Sequence, residues 1–197
     1  MNVAHDDPLA AVVAKLTAPP GFEPEPDRVS RDQGPGPRAR ISSPGPFAQD
    51  PAAITVHKQR AGDDRRLYAV GFDDLQGNWW FWLVAAELGG GGWAAHGVAG
   101  GSDGPIGQQR ATPRPSSVGS APWLNLCGQW GGDTFYAGGD LDCVGAQIGR
   151  VQLTLSDGSQ LQDDGVGNVS LFIGRRGAPP DYVEIFAPDG ALLSKQP

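Results

Sequence analysis

Basic residues are scarce and cysteine is nearly absent. Among 197 residues, lysine occurs only at Lys15, Lys58 and Lys195, methionine once and cysteine twice. The formal net charge is −7 and the pI is near 4.8. Such a chain lacks the clustered basic face that phosphate contacts require, which excludes nucleic acid as a partner class. No apolar run reaches the ~18 residues of a membrane-spanning helix, so no span is expected. Met1 to Asp7 carry neither the positive region nor the apolar run of a secretion signal, and the expected compartment is the cytoplasm. Two cysteines cannot complete a four-ligand zinc site. No HExxH, nucleophile elbow or triad spacing is present. The glycine runs at 89–92 and 100–101 lack the strand–loop–helix setting that cradles phosphate. No cofactor or metal is expected.

Proline and glycine are abundant but unevenly placed. Half of the 18 prolines fall before residue 50. Residues 1–17 contain one short amphipathic helix: Asp6 or Asp7 can cap it, Pro8 suits its first turn, and Leu9, Val12, Val13 and Leu16 recur at helical spacing. Such a helix is marginal alone and needs a surface to lie against. Residues 18–53 are rich in Pro and Gly and bury too little to offset ordering entropy, so a flexible linker is expected there. An all-β domain is expected over 54–197, with an internal boundary or surface excursion near 100–122.

Within that domain the alternation is that of strands. Ile54 to Lys58 alternates apolar and polar, and Tyr68, Val70 and Phe72 share one face of a second strand. Trp79 to Ala86 is apolar on both faces and reads as a central strand covered on each side. Trp93 to Val98 follows as a fourth strand. Trp123 to Trp130, Thr134 to Leu141, Val151 to Leu155, Ser159 to Asp163, Val169 to Ile173 and Tyr182 to Phe186 continue the series, and Asp157-Gly158 marks a tight hairpin. Strands at this spacing predict an antiparallel β-sandwich or barrel-like domain, preceded by the short helix and the Pro-rich arm.

A set of short runs carries a resemblance. Tyr68-Ala69-Val70-Gly71-Phe72, Trp79-Trp80, Pro122-Trp123-Leu124-Asn125-Leu126, Phe135-Tyr136-Ala137-Gly138-Gly139 and Gly149-Arg150-Val151-Gln152-Leu153 with the Asp157-Gly158 hairpin span roughly residues 65–195. Together they resemble uncharacterised β-rich proteins of high-GC actinobacterial genomes. The resemblance implies a β-rich fold and no activity.

The six tryptophans, Trp79, Trp80, Trp82, Trp93, Trp123 and Trp130, are the most distinctive feature. Each buries on the order of 150–250 Å² when packed, so most belong to a core. The alternative is that Trp79, Trp123 and Trp130, with Tyr136, stand exposed as a platform for a sugar ring or small ligand. Cys127 and Cys143 read as reduced thiols near the core, or as a disulfide worth about 3 kcal/mol. Asp133, Asp140 and Asp142 offer clustered oxygens of the kind Ca²⁺ takes, but they lack any full calcium-loop pattern and read by default as solvated strand-end carboxylates, as do Asp163 and Asp164. His57 and His96 are the only histidines in the β region. The leading expectation is a non-catalytic protein-interaction module, self-associating or tethered to a partner by its N-terminal helix. The alternatives are a carbohydrate or small-ligand module and an enzyme of unidentified reaction.

Overall fold

The computed structural model describes residues 4–22, 46–105, 121–130, 134–143, 145–175 and 178–197. Most of the expected linker, the core of the 100–122 stretch and Asp133 lie outside the described residues. Asp7 caps α1 (Pro8–Leu16) by accepting a hydrogen bond from the Ala10 amide at 2.7 Å, and Pro8 fills the first helical position. The buried stripe is Ala11, Val12 and Leu16, while Leu9 stays exposed. The expected stripe is therefore rotated, with the small Ala11 taking the place given to Leu9.

Among the described residues, three antiparallel sheets form. The first is a meander of β1 (Thr55–Ala61), β2 (Arg65–Asp73), β3 (Asn78–Gly89) and β4 (Gly92–Pro105). The middle sheet contains β5 (Trp123–Leu124), β6 (Cys127–Gln129), β7 (Thr134–Asp142) and, further along the chain, β10 (Val169–Arg175). The third comprises β8 (Arg150–Leu155) and β9 (Gln160–Asp163), joined at Asp157-Gly158, with β11 (Pro180–Phe186) and β12 (Leu192–Gln196). Gly158 adopts φ 82°, the conformation its turn demands.

Alternation along each strand stacks these elements in layers. Tyr68, Val70, Phe72, Val84 and Ala86 face α1 through Val12 and Leu16, with Trp80, Trp82 and Trp93 packed against them. Leu67, Ala69, Leu83 and Ala85 face the opposite way onto Tyr136, Val169 and Leu171 of the middle sheet. That sheet turns Phe135, Ala137, Leu141 and Phe172 toward Val151, Leu153, Leu155, Val183 and Ile185 of the third sheet. The result is helix, sheet, sheet, sheet: an all-β stack with one more layer than a simple sandwich.

Three sequence expectations are corrected. Order reaches back past Ile54: Phe47 and Ala48 are buried, the Ala48 amide donates to the Leu16 carbonyl at 2.8 Å, and Phe22 packs edge-on to Phe47. The fourth strand runs on through the glycines to Pro105, because Gly100 lies where any Cβ would overlap Trp82 and the Phe81 carbonyl. Glycines carry no side-chain alternation, so this ladder gives no periodic signal. The strand expected from Trp123 to Trp130 is bent into β5 and β6 about Asn125, whose carbonyl would collide with a side chain at Gly139.

Asp163 is not a solvated strand end, whereas Asp164, just past β9, is 63% exposed. A register irregularity at His57 in β1 turns Lys58 and Arg60 inward. Lys58 Nζ donates to Asp163 Oδ2 at 2.6 Å, to Asp164 Oδ1 and to the Val169 carbonyl at 3.1 Å. Arg60 Nη1 donates to Asp163 Oδ1 at 3.0 Å and to the Leu171 carbonyl at 3.1 Å. The Asp163 side chain is only 6% exposed. One carboxylate thus joins an edge of each sheet.

Asp74 fixes the β2–β3 turn. Its carboxylate accepts from the backbone amides of Gln76 and Asn78, from Asn78 Nδ2 and from Trp80 Nε1. Burial alone would raise this carboxyl, but the Trp80, Asn78 and Gln76 hydrogen bonds together hold it below its ordinary value.

Two stability predictions result. Asp163→Ala strands Lys58 and Arg60 in a half-buried seam and should cost about 3 kcal/mol in urea unfolding, as loss of one partner of a buried pair does. Asp74→Asn should cost about 2 kcal/mol at neutral pH, because an amide cannot accept from every donor aimed at it. A depressed carboxyl contributes stability that is complete above its unfolded pKa and is lost as pH falls through the folded value. The wild type should therefore lose stability below about pH 4 more steeply than Asp74→Asn; parallel acid limbs would contradict this assignment.

Candidate functional site

Of the sequence-predicted ligand residues, Trp79, Trp123 and Tyr136 divide between two ends of the gap separating the first and middle sheets, while Trp130 lies on the other face of the middle sheet. Tyr136 on β7 donates to Glu87 Oε1 on β3. From that contact β3 leads back to Trp79 and β7 leads on to Asp142. Because Leu83 and Ala85 pack on Val169 and Leu171, the partners of Asp140 and Gly138, Trp79 and Asp142 share an end.

At the Tyr136 end the side chains face each other and the core. Tyr136 is 2% exposed, so it presents no platform. Burial and its bond to Glu87 push its hydroxyl far above the ordinary value. His96 packs edge-on to it with ring centroids 5.7 Å apart. Burial lowers the His96 pKa, with Glu87 opposing and Lys15 adding to the shift, so the ring is neutral at pH 7. Arg65 Nε lies 3.9 Å from Glu87 Oε1. Trp130, 44% exposed, lies at this end of β7 but on its other face, where it stacks on Phe135 of the third-sheet core with centroids 6.3 Å apart.

The opposite end is more open. Trp123 pairs in register with Asp142 and is 49% exposed. Its neighbour Leu124 is 1% exposed because alternation sends it to the third-sheet side. Asn125 Nδ2 donates to Asp140 Oδ2 at 2.9 Å, and both residues are exposed. Register partners share a face, so Trp123, Asn125, Asp140 and Asp142 all lie on the side of the middle sheet that faces the first. Across the gap stand His57, Trp79 and Phe81, with His57 6.4 Å from the Trp79 ring and 6.1 Å from Phe81. Gly71 leaves room for them, since a Cβ there would overlap the His57 ring.

The expected platform is therefore split. Trp123 opposes Asp142 while Gln129, next to Trp130, opposes Tyr136, six residues away on β7. At ~3.4 Å per residue this places Trp123 and Trp130 about 20 Å apart. Trp79 falls with Trp123, whereas Trp130 and Tyr136 share an end of β7 but occupy opposite faces of it. The Asp140–Asn125 pair was not anticipated as a partner of Trp123. It becomes visible only once β5 is set against β7 in register. The histidines are not brought together either: they occupy the outer strands of the first sheet, three strand spacings or roughly 14 Å apart. Among the described residues no group of three or more His, Cys, Asp or Glu can hold a metal ion.

The disulfide alternative is corrected: Cys127 and Cys143 are both free. Cys127 pairs with Gly138, whereas Cys143 lies five residues further on, beyond the end of β7. That offset is on the order of 15 Å, and a bridge needs Cα atoms within ~7 Å. Cys143 Sγ instead lies 3.2 Å from Asn168 Oδ1. Burial, with Asp140 adding, pushes the Cys127 thiol up to about 11. Burial and Asp142 also raise Cys143. Alkylation at pH 8 should therefore modify Cys127 in the native protein on the order of 100-fold more slowly than in urea, since the thiolate is the nucleophile. Equal rates in the two states would show the thiol to be accessible and ionised.

No family model matches the chain, and neither curated proteins nor solved structures give a significant match.

Proposed function

We propose that the chain is a non-catalytic binding module that takes a hydroxylated ring ligand, a glycan, at the Trp123 end of the inter-sheet gap. The observation that carries this reading is the half-exposed Trp123 ring beside the exposed Asp140–Asn125 pair. An indole face receives the C–H side of a sugar ring, and it brings a large rigid area at small entropic cost. A carboxylate and a carboxamide at its border supply the few fixed polar groups that orient such a ligand. Asp140 and Asn125 already restrain one another, which reduces the ordering cost on binding.

Two observations favour this over the other readings. A helical tether needs a free apolar stripe, and Val12 and Leu16 are instead 0% and 2% exposed against the first sheet. An acid–base mechanism needs titratable groups facing one cleft, whereas His96 and Tyr136 face each other and His57 lies beyond the span of a shared proton.

The test is a panel of soluble oligosaccharides followed by tryptophan fluorescence and calorimetry. At least one neutral oligosaccharide should bind the wild type. Trp123→Ala should weaken it by about 2 kcal/mol, roughly 30-fold, as loss of a stacked aromatic anchor does. Asp140→Ala should weaken it less, and Trp130→Ala should leave it unchanged. Binding that depends on Trp130 and not on Trp123 would move the site to the other end; a panel without any binder would end the glycan reading.

A further inference from the structure

The sheet edges are treated unequally, and among the described residues one of them is left largely unpaired. On the middle sheet, the outward carbonyls of Val169 and Leu171 on β10 accept from Lys58 and Arg60. At its other edge the Gln196 carboxamide mimics a strand: Nε2 donates to the Leu124 carbonyl at 2.7 Å and Oε1 accepts from its amide at 2.9 Å. In the first sheet, β1 carries the irregularity at His57 together with Lys58 and Arg60. In the third sheet the edge strands β9 and β12 are four and five residues long, with Asp163 on one and Lys195 on the other. Bulges, charges and short length are the ordinary means by which an edge is kept from pairing with another chain.

β4 differs on each count except one. It is a 14-residue edge strand, and from Gly92 to Ser102 it contains no Asp, Glu, Lys or Arg. Irregularities at Val98 and near Asp103 divide it, leaving Ala99–Ser102 as one regular uncharged run and Gly92–Gly97 as another. Its outer edge does accept a strand: the His5 amide donates to the Trp93 carbonyl at 2.9 Å, and the Trp93 amide to the His5 carbonyl at 2.7 Å. Beyond that single rung, no strand among the described residues pairs with it. The groups facing outward are those of Ala95, Gly97 and, past the irregularity, Gly100, since alternate residues direct their N–H and C=O to the same side.

We infer that this edge pairs with the same edge of a second copy of the chain, antiparallel about a two-fold axis at Gly101. The choice of occupant rests on self-complementarity and charge. An antiparallel strand set against itself forms a closed, isologous contact that stops at a dimer. A run without charged residues places no like charges opposite each other. At −7 per chain the rest of the surface repels a second copy, so the uncharged edge is where approach costs least. The pairing continues, in a second chain, the antiparallel ladder that His5 begins. It is independent of the Trp123 site, and the Trp123→Ala substitution leaves it intact.

The experiment is sedimentation equilibrium on the full chain from low-micromolar to sub-millimolar concentration, for the wild type and Gly101→Lys. Nothing stands within 4 Å of a Cβ built at Gly101, so lysine fits without strain. In the dimer the two new ammonium groups face each other near the axis. The wild type should dimerise as concentration rises, and Gly101→Lys should weaken the association by about tenfold or more while leaving the melting temperature of the monomer unchanged. Val166→Lys, at a position 66% exposed just before β10, should associate as the wild type does. A wild type that stays monomeric throughout overturns the inference, as does a Gly101→Lys variant that associates equally well.

Discussion

The middle sheet is packed between two others, covered on both faces over most of its described residues, and the rest of the molecule is arranged around that constraint. Its strands turn Tyr136, Val169 and Leu171 to one neighbour and Phe135, Ala137, Leu141 and Phe172 to the other. A strand buried on both faces cannot also leave its outer carbonyls and amides unpaired, since each such group costs free energy comparable to a lost hydrogen bond. The two edges are closed by side chains of the flanking sheets: Lys58 and Arg60 from the first, Gln196 from the third. The same contacts that satisfy the middle backbone therefore fasten the outer layers to it. The β1 irregularity at His57 follows from this requirement, since without it Lys58 and Arg60 face the wrong way.

How much of this was legible in the sequence depends on whether a side chain or a pairing carried the signal. Tyr68, Val70 and Phe72 share a face as their alternation implies, and Asp157-Gly158 closes the β8–β9 hairpin as its residues imply. Trp79 to Ala86 is covered on both sides, as its unbroken apolar run implies. The continuation of β4 through Gly100 and Gly101 left no trace, because glycine has no side chain to alternate. The inward turn of Lys58 was hidden for a related reason: a one-residue irregularity reverses the parity on which any face assignment rests. Asp163 accordingly read as a solvated carboxylate although it is the most enclosed acid of the seam.

The candidate site failed in a similar way. Trp123 and Trp130 are both exposed, as the platform reading requires, but they belong to opposite ends of β7, and exposure without adjacency makes no platform. Tyr136 is adjacent to one of them and buried. What accompanies Trp123 is the Asp140–Asn125 pair, which sequence separation conceals and register reveals. A residue list chosen by chemistry gathered rings that the fold keeps apart.

The glycines and the tryptophans are two aspects of one packing solution. Trp82 lies across Gly97 and Gly100 of the neighbouring strand, so closely that a Cβ at either would meet its ring. Trp79 and His57 stand over Gly71 in the same manner. A wide aromatic laid flat on a sheet needs its neighbours reduced to backbone, and backbone without side chains can be held in a strand only where something covers it. Part of the glycine abundance is thus structural. The same pairing bears on the β4 edge: with Gly97 and Gly100 cleared to make room for Trp82, the strand keeps no charged side chain from Gly92 to Ser102 with which to guard its own hydrogen-bonding groups.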